Sequence, residues 1–235
     1  MTRIGESWRN AFRDIVLIVV SIIIAFMLDA WWDGRQETHR VSRHFDALRH
    51  EFQEEMTSLR ADRTRINKAI RATRALLTVM GTSQDQSFSD SVTFLLNASY
   101  DVGVYASHGG ALSALLSSGD IRLIEDDSLT YLLARWPARL GVLNADNEIL
   151  TASREQELRM RLIALGIPES SIAAHLTDLN IPKTRFTFDP NRILGDAGVE
   201  SMLVSRLIRL LLLRGEVDAA AADAEQVVAR LERLR

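Results

Sequence analysis

Ile15 to Leu28 holds fourteen residues of which only Ser21 is polar. Few features restrict a chain more, because a helix that is apolar all round must be withdrawn from water on every side. Extending the run from Phe12 to Trp32 gives twenty-one residues. At about 1.5 Å per residue that is roughly 31 Å, against about 30 Å for a bilayer's hydrocarbon core. Arg13 and Asp14 sit near one end, Asp29 near the other. A carboxylate within a turn of the edge reaches headgroups and water, whereas a central one costs about 2.5–3.5 kcal/mol on insertion scales. Trp31 and Trp32 suit the interfacial belt, where an apolar ring and a polar N–H are both satisfied. The sequence therefore predicts a transmembrane helix over 12–32, with Arg13, Asp29, Trp31 and Trp32 at the membrane interface.

Two other readings compete. A cleaved signal peptide would use Arg3, Arg9 and Arg13 as its basic region, but no small-x-small site follows Leu28. A buried core helix of a soluble protein is the second. The signal-anchor is preferred, with 1–11 as a short cytoplasmic tail and 33–235 as a helical extramembrane domain, expected in the periplasm of a bacterial inner membrane. Arginines flank the segment evenly, three on each side (Arg3, Arg9, Arg13 and Arg35, Arg40, Arg43), so the positive-inside count is a draw. Asp29, Asp33, Glu37 and Asp46 favour export of the C-terminal side.

Beyond the segment the chain reads as all-α. Val41, Phe45, Leu48, Phe52, Met56, Leu59, Ile66, Ile70, Thr73, Leu77 and Met80 recur in steps of three and four apart from a gap at Arg63. That spacing predicts one apolar stripe near heptad repeat. Only Gly34 interrupts the approach, so the membrane helix is expected to continue into this stalk and stop at Gly81. Leu203, Leu210, Leu213, Val217, Ala220, Ala224, Val227, Leu231 and Leu234 form a second stripe. Two stripes at opposite ends of a chain bury each other most simply as an antiparallel pair within a helical bundle. Between them, Ser89 is expected to cap one helix and His108–Ser118 to form another closed by Gly119. Asp126 or Asp127 is expected to cap a third, kinked at Pro137 and ending by Gly166. Arg185–Asp189 alternates as a short strand would, beside Val102–Tyr105.

The search for chemistry is mostly negative. With no Cys there are no disulfides, thiolate nucleophiles or Cys-based zinc sites. The net charge of −3 is dispersed and shows no nucleic-acid face. His39, His44 and His50 are spaced five and six apart, not the three or four that places two metal ligands on one helical face. No Glu precedes any His by three residues, no nucleophile elbow accompanies His108-Gly109-Gly110, and no Gly-rich phosphate loop is present. No catalytic residue, cofactor or metal is therefore assigned. Arg206, Arg209 and Arg214 read as a basic face for ordinary surface pairing with nearby acids, ahead of an acidic partner or lipid headgroups.

Phe12 to Val20 followed by Ala30-Trp31-Trp32-Asp33, and the stretch Leu112-Ser113-Ala114-Leu115-Leu116-Ser117-Ser118-Gly119-Asp120-Ile121 with Leu123 to Leu129, resemble two signatures of an uncharacterised family of bacterial single-pass membrane proteins. The resemblance implies an N-terminal anchor and a helical domain. It carries no activity and no functional residues. The second element reads as a helix C-cap, an apolar turn and the next N-cap. Such a corner is either architecture or a docking surface made of Ser118, Gly119, Asp120, Arg122, Glu125 and Asp126. The function expected from sequence is a membrane-anchored interaction or scaffold module touching the bilayer and a protein partner or a second copy through its helical stripes. A tethered enzyme or small-ligand receptor with an interhelical pocket is the alternative.

Overall fold

The computed structural model describes residues 4–83, 88–102, 109–153, 158–167, 186 and 189–234. Side chains of 4–16, 18, 30, 33–43, 89 and 153 lie outside that description. The described elements are α1 (Ile4–Val79), α2 (Ser89–Tyr100), α3 (Ala111–Ser118), a 3-10 turn (Asp120–Leu123), α4 (Asp127–Ser153), α5 (Arg159–Ala164), α6 (Asn191–Leu194) and α7 (Ala197–Arg233). Among the described residues there is no strand. The strand proposed over Arg185–Asp189, with its neighbour near Val102–Tyr105, falls mostly outside them.

The two long stripes do pair. α1 is one unbroken helix of 76 residues, about 114 Å long, so the apolar segment and the stalk share one axis. α7 runs antiparallel to its second half. Arg63 meets Asp218 at 2.8 Å and Arg60 meets Glu225 at 3.3 Å. At the far end, Gly81 N–H donates to the Leu194 carbonyl at 2.8 Å. α4 lies alongside, parallel to α1 and antiparallel to α7: Phe52 packs on Trp136 with ring centroids 4.9 Å apart, and Arg139 bonds Glu216 at 2.9 Å.

The buried seam of α1 differs from the apolar count in one respect. Leu48, Phe52, Glu55, Leu59, Asp62, Ile66, Ala69, Thr73 and Leu76 follow steps of three and four without a gap. Met56 and Leu77, though apolar, are only half-buried. The seam passes through two acids and an alanine because heptad geometry, not hydrophobicity alone, sets which residues face α4 and α7. The same holds on α7, where Arg206 fills the interval between Leu203 and Leu210 and is 3% exposed. Leu234, assigned to that stripe, is exposed.

Two apolar clusters result. The larger joins α1 from Leu48 to Ile70 with α3, α4 and the C-terminal half of α7. The smaller gathers Leu76, Val92, Leu96, Leu158, Leu162, Ile193, Leu194 and Leu203 at the end distant from the apolar segment.

Several termini differ from expectation. α2 begins at Ser89 itself, preceded by Phe88, with no side-chain cap bond. α3 starts at Ala111, not at His108, which lies outside the described residues. α4 remains helical through the exposed Pro137 as far as Ser153; 154–157 lie outside the described residues, and helix is described again as α5 from Arg159, followed by Gly166 at φ +69°, where the stop was expected.

Candidate functional site

Three places could carry function: the Ser118–Asp126 corner, the charged groups inside the bundle, and the bare apolar stretch of α1.

At the corner, α3 closes on Gly119, whose φ of +74° is the left-handed geometry that glycine adopts without a Cβ penalty. Ser118 Oγ donates to the Leu115 carbonyl at 3.1 Å and accepts from Asp120 N–H at 3.3 Å. Asp120 reaches back to α1, its Oδ2 lying 3.1 Å from His44 Nε2. Arg122 Nε donates to the Gly119 carbonyl at 3.2 Å. Asp126, not Asp127, caps α4: its Oδ1 accepts from Leu129 N–H at 3.0 Å, and Arg230 of α7 lies 2.9 Å from its Oδ2. The Leu129 N–H, followed by Arg230, holds the Asp126 carboxyl below the usual carboxylate range. Ser118, Gly119, Asp120 and Asp126 thus serve the corner's own geometry, while Arg122 and Glu125 are exposed.

The starting point of α3 explains a buried acid on α1. No side chain of its own caps this helix. Glu51 instead crosses from α1, and its Oε2 accepts from Gly110 N–H at 3.0 Å and Ala111 N–H at 2.6 Å, with Leu112 N–H at 3.4 Å. A carboxylate at a helix N-terminus satisfies unpaired donors and opposes the positive end of the dipole. Removing it deprives those donors of their shared acceptor, so Glu51→Ala is expected to cost about 2 kcal/mol. Glu51→Gln, which keeps an acceptor, should lose distinctly less. Urea denaturation of the two variants beside the parent reads the difference.

Other buried ions knit the helices. Asp223 of α7 pairs with Arg135 and with Arg139 of α4. Arg161 grips Asp196 through Nε–Oδ1 at 3.0 Å and Nη2–Oδ2 at 2.5 Å, while Asp196 Oδ1 caps α7 by accepting from Val199 N–H at 2.9 Å. The Arg161 hydrogen bond chiefly holds the Asp196 carboxyl low. A lowered native pKa means that the unfolded chain binds more protons, so this stabilisation is complete above about pH 4 and fades as pH falls through the native value. Asp196→Asn should therefore be less stable than the parent at pH 7, and the gap should narrow as the pH is taken below about 4 in paired urea titrations. Asp62 behaves oppositely. Burial raises its carboxyl against the lowering influence of Arg65, so its contribution is present below the unfolded pKa and is lost as pH rises through the native one.

Asp62 borders a narrow cleft of about 20 Å³, room for roughly one water, with Ile66, Val102, Asn147 and Leu213. Among the described residues no group of three or more His, Cys, Asp or Glu could hold a metal ion. Arg206, Arg209 and Arg214 do not form one face. Arg206 is buried, its Nε donating to the Ser99 carbonyl at 2.8 Å and its Nη1 to the Leu150 carbonyl at 3.1 Å, with its guanidinium 3.9 Å from the Tyr100 ring centre. Arg209 is exposed and Arg214 half-buried. Nothing in the alternation of apolar residues announces an arginine aimed inward; only the missing step between Leu203 and Leu210 marks the position.

The third place is the apolar stretch itself. Every residue from Val19 to Asp29, together with Leu17, Trp31 and Trp32, is exposed. The large apolar members show between 45% and 70% of their surface. Consecutive residues advance by about 100°, so eleven in succession bare every face of the helix. Trp31 and Trp32 rings lie 6.5 Å apart at 53°, Ser21 Oγ donates to the Leu17 carbonyl at 2.8 Å, and Asp29 is exposed. Arg13 lies outside the described side chains. Among the described residues no helix is long and apolar enough to cross a membrane; that description covers only part of 12–32.

No family model, no curated protein and no solved structure matches this chain.

Proposed function

We propose that the chain is a membrane-anchored helical interaction module, with 12–32 as its single span and the bundle as its working domain. The observation that carries this reading is the baring of the apolar stretch on every face. A protein partner laid against a helix covers one side, whereas lipid covers all of them. Eleven large apolar side chains are exposed between Leu17 and Trp32. At roughly 1.5–3 kcal/mol for each one fully withdrawn from water, the stake is on the order of 20 kcal/mol. A one-sided partner would recover about a third of it.

Continuity of α1 supports the same reading, since a span that passes without a break into the domain positions that domain rigidly. The resemblance to single-pass bacterial proteins points to the inner membrane, with 1–11 cytoplasmic and the bundle in the periplasm. The Ser118–Asp126 corner acts in this reading as architecture, presenting Arg122 and Glu125 outward. The expected result is that the full chain resists extraction by alkaline carbonate and high salt and enters solution only with detergent. Release without detergent would refute the anchor. For orientation, alkaline phosphatase fused after Arg235 should be active and a cytosol-dependent fluorophore dark; the reverse pattern would invert the topology.

A further inference from the structure

We propose that the outer face of α7, with the adjoining rim of α4, binds a second copy of this chain, the two copies lying parallel and in register. This rests on the anchor reading for its direction.

α7 is apolar on two opposite faces. Its inner face is the seam already described. On the outer face Val204, Ile208, Leu211, Gly215, Ala219 and Ala222 succeed one another at intervals of four, three, four, four and three, without a charged residue among them; Leu211 and Ala219 are half-buried, Leu211 also packs against the core, and Ala222 borders the groove toward α1. That is the spacing of a knobs-into-holes seam, and the inner face already has its partners within the chain. Val204, Ile208 and the flanking Leu212 are 43%, 55% and 64% exposed. On α4, Val142 and Ile149 are exposed as well. They follow Arg135 at heptad intervals, and Arg135 reaches Asp223 on α7, so they lie on the side of α4 nearest α7. The exposed aliphatic groups of both helices therefore form one surface.

Gly215 adds a separate observation. It lies inside an exposed helix, where glycine is a poor helix former, and a Cβ built there meets nothing within 4 Å. Nothing within the chain requires glycine at this position. The open space there leaves room for a second backbone to approach closely.

Size and direction select the occupant. From Val204 to Ala222 the face is about 28 Å long, and α4 with α7 gives a width of roughly 20 Å. The product, roughly 560 Å² per copy, puts the pair near the 1,000 Å² total that a specific interface needs. Confinement in one bilayer raises effective concentration and suits an interface of this modest size. Lipid is not the occupant, because the face lies beyond Arg60, which pairs with Glu225, and Arg60 stands about 42 Å along α1 from Trp32. Two copies anchored in the same sense share a two-fold axis along the membrane normal. Their α7 helices then run parallel, and each seam residue meets its own counterpart.

The chain contains no Cys, so single-cysteine variants of the full protein report this arrangement directly in native membranes. With a short bis-maleimide, Ile208→Cys and Leu211→Cys should give at least tenfold more crosslinked homodimer than Ala61→Cys, an exposed site on α1. Adding Leu212→Glu to Leu211→Cys should abolish the dimer while a thermal melt in detergent keeps its cooperative transition. Protein that stays in the carbonate-resistant fraction without crosslinking at 208 or 211 would overturn the interface while leaving the anchor intact. Equal yield at 61, a heavier adduct with another protein in place of the dimer, or crosslinks only between Val204→Cys and Ala222→Cys copies mixed together would also overturn it. Protein released by carbonate overturns the anchor; retained same-position crosslinks would then still uphold the interface.

Discussion

Arg206→Ala should lower the stability of the bundle by about 3–5 kcal/mol, the largest loss expected from any single change in the domain. Arg206 lies where three helices converge, with donors on the carbonyls of Ser99 near the end of α2 and Leu150 near the end of α4. The Ser99 carbonyl belongs to the last turn of α2, where the dipole presents negative charge. The guanidinium also lies against the Tyr100 ring. Alanine would remove both donors, leave two carbonyls without those partners and open a void the length of an arginine. For a domain of this size the loss corresponds to a fall in Tm of roughly 6–20 °C. Arg206→Met restores volume but no donor, so it should recover only part. Arg209→Ala, three residues on and exposed, should stay within about 0.5 kcal/mol. Thermal denaturation of the three variants in one detergent decides the matter: equal effects at 206 and 209 would show that the buried arginine does not join the helices.

Arginine at Ile22, the midpoint of 12–32, should sharply reduce retention of the chain in carbonate-washed membranes. A central arginine costs about 2.5–3.5 kcal/mol on insertion scales, roughly a hundredfold in the partition. The same replacement on a helix face exposed to water would change stability by less than about 0.5 kcal/mol and would raise solubility. The two environments therefore give opposite results from one variant. Asp29→Ala, at the edge, should leave retention unchanged or improve it. Full retention of Ile22→Arg would contradict a lipid surrounding.

The backbone plan was legible where apolar residues alone define it. The stripes from Leu48 to Ile70 and from Leu210 to Leu231 lie in the core, and their antiparallel pairing follows from one-sided burial. Gly119 as a left-handed cap was legible too, because that conformation favours one residue type. What hydropathy could not show were the polar members of the same seams. Glu55, Asp62 and Arg206 occupy inward positions, and an apolar count passes over them to Met56 or leaves a gap. Their partners also lie far along the chain: Glu51 acts on residues 110–112, Arg206 on Ser99 and Leu150, and Asp126 on Arg230. A capping acid supplied from another helix leaves no local signature, so α3 looked longer at its start than it is. At the corner, Ser118 and Asp126 were readable from their place beside a glycine and an apolar run, whereas the His44 partner of Asp120 was not.

A rod without a joint is also a lever. Val79 stands about 70 Å beyond Trp32 along α1, so a change of 5° in the slope of the N-terminal end would sweep the far cluster sideways by about 6 Å. Slope within lipid depends on the match between apolar length and hydrocarbon depth. Were 12–32 to span a bilayer as proposed, a thicker or thinner one would thereby reposition the distal helices without altering a single contact inside them.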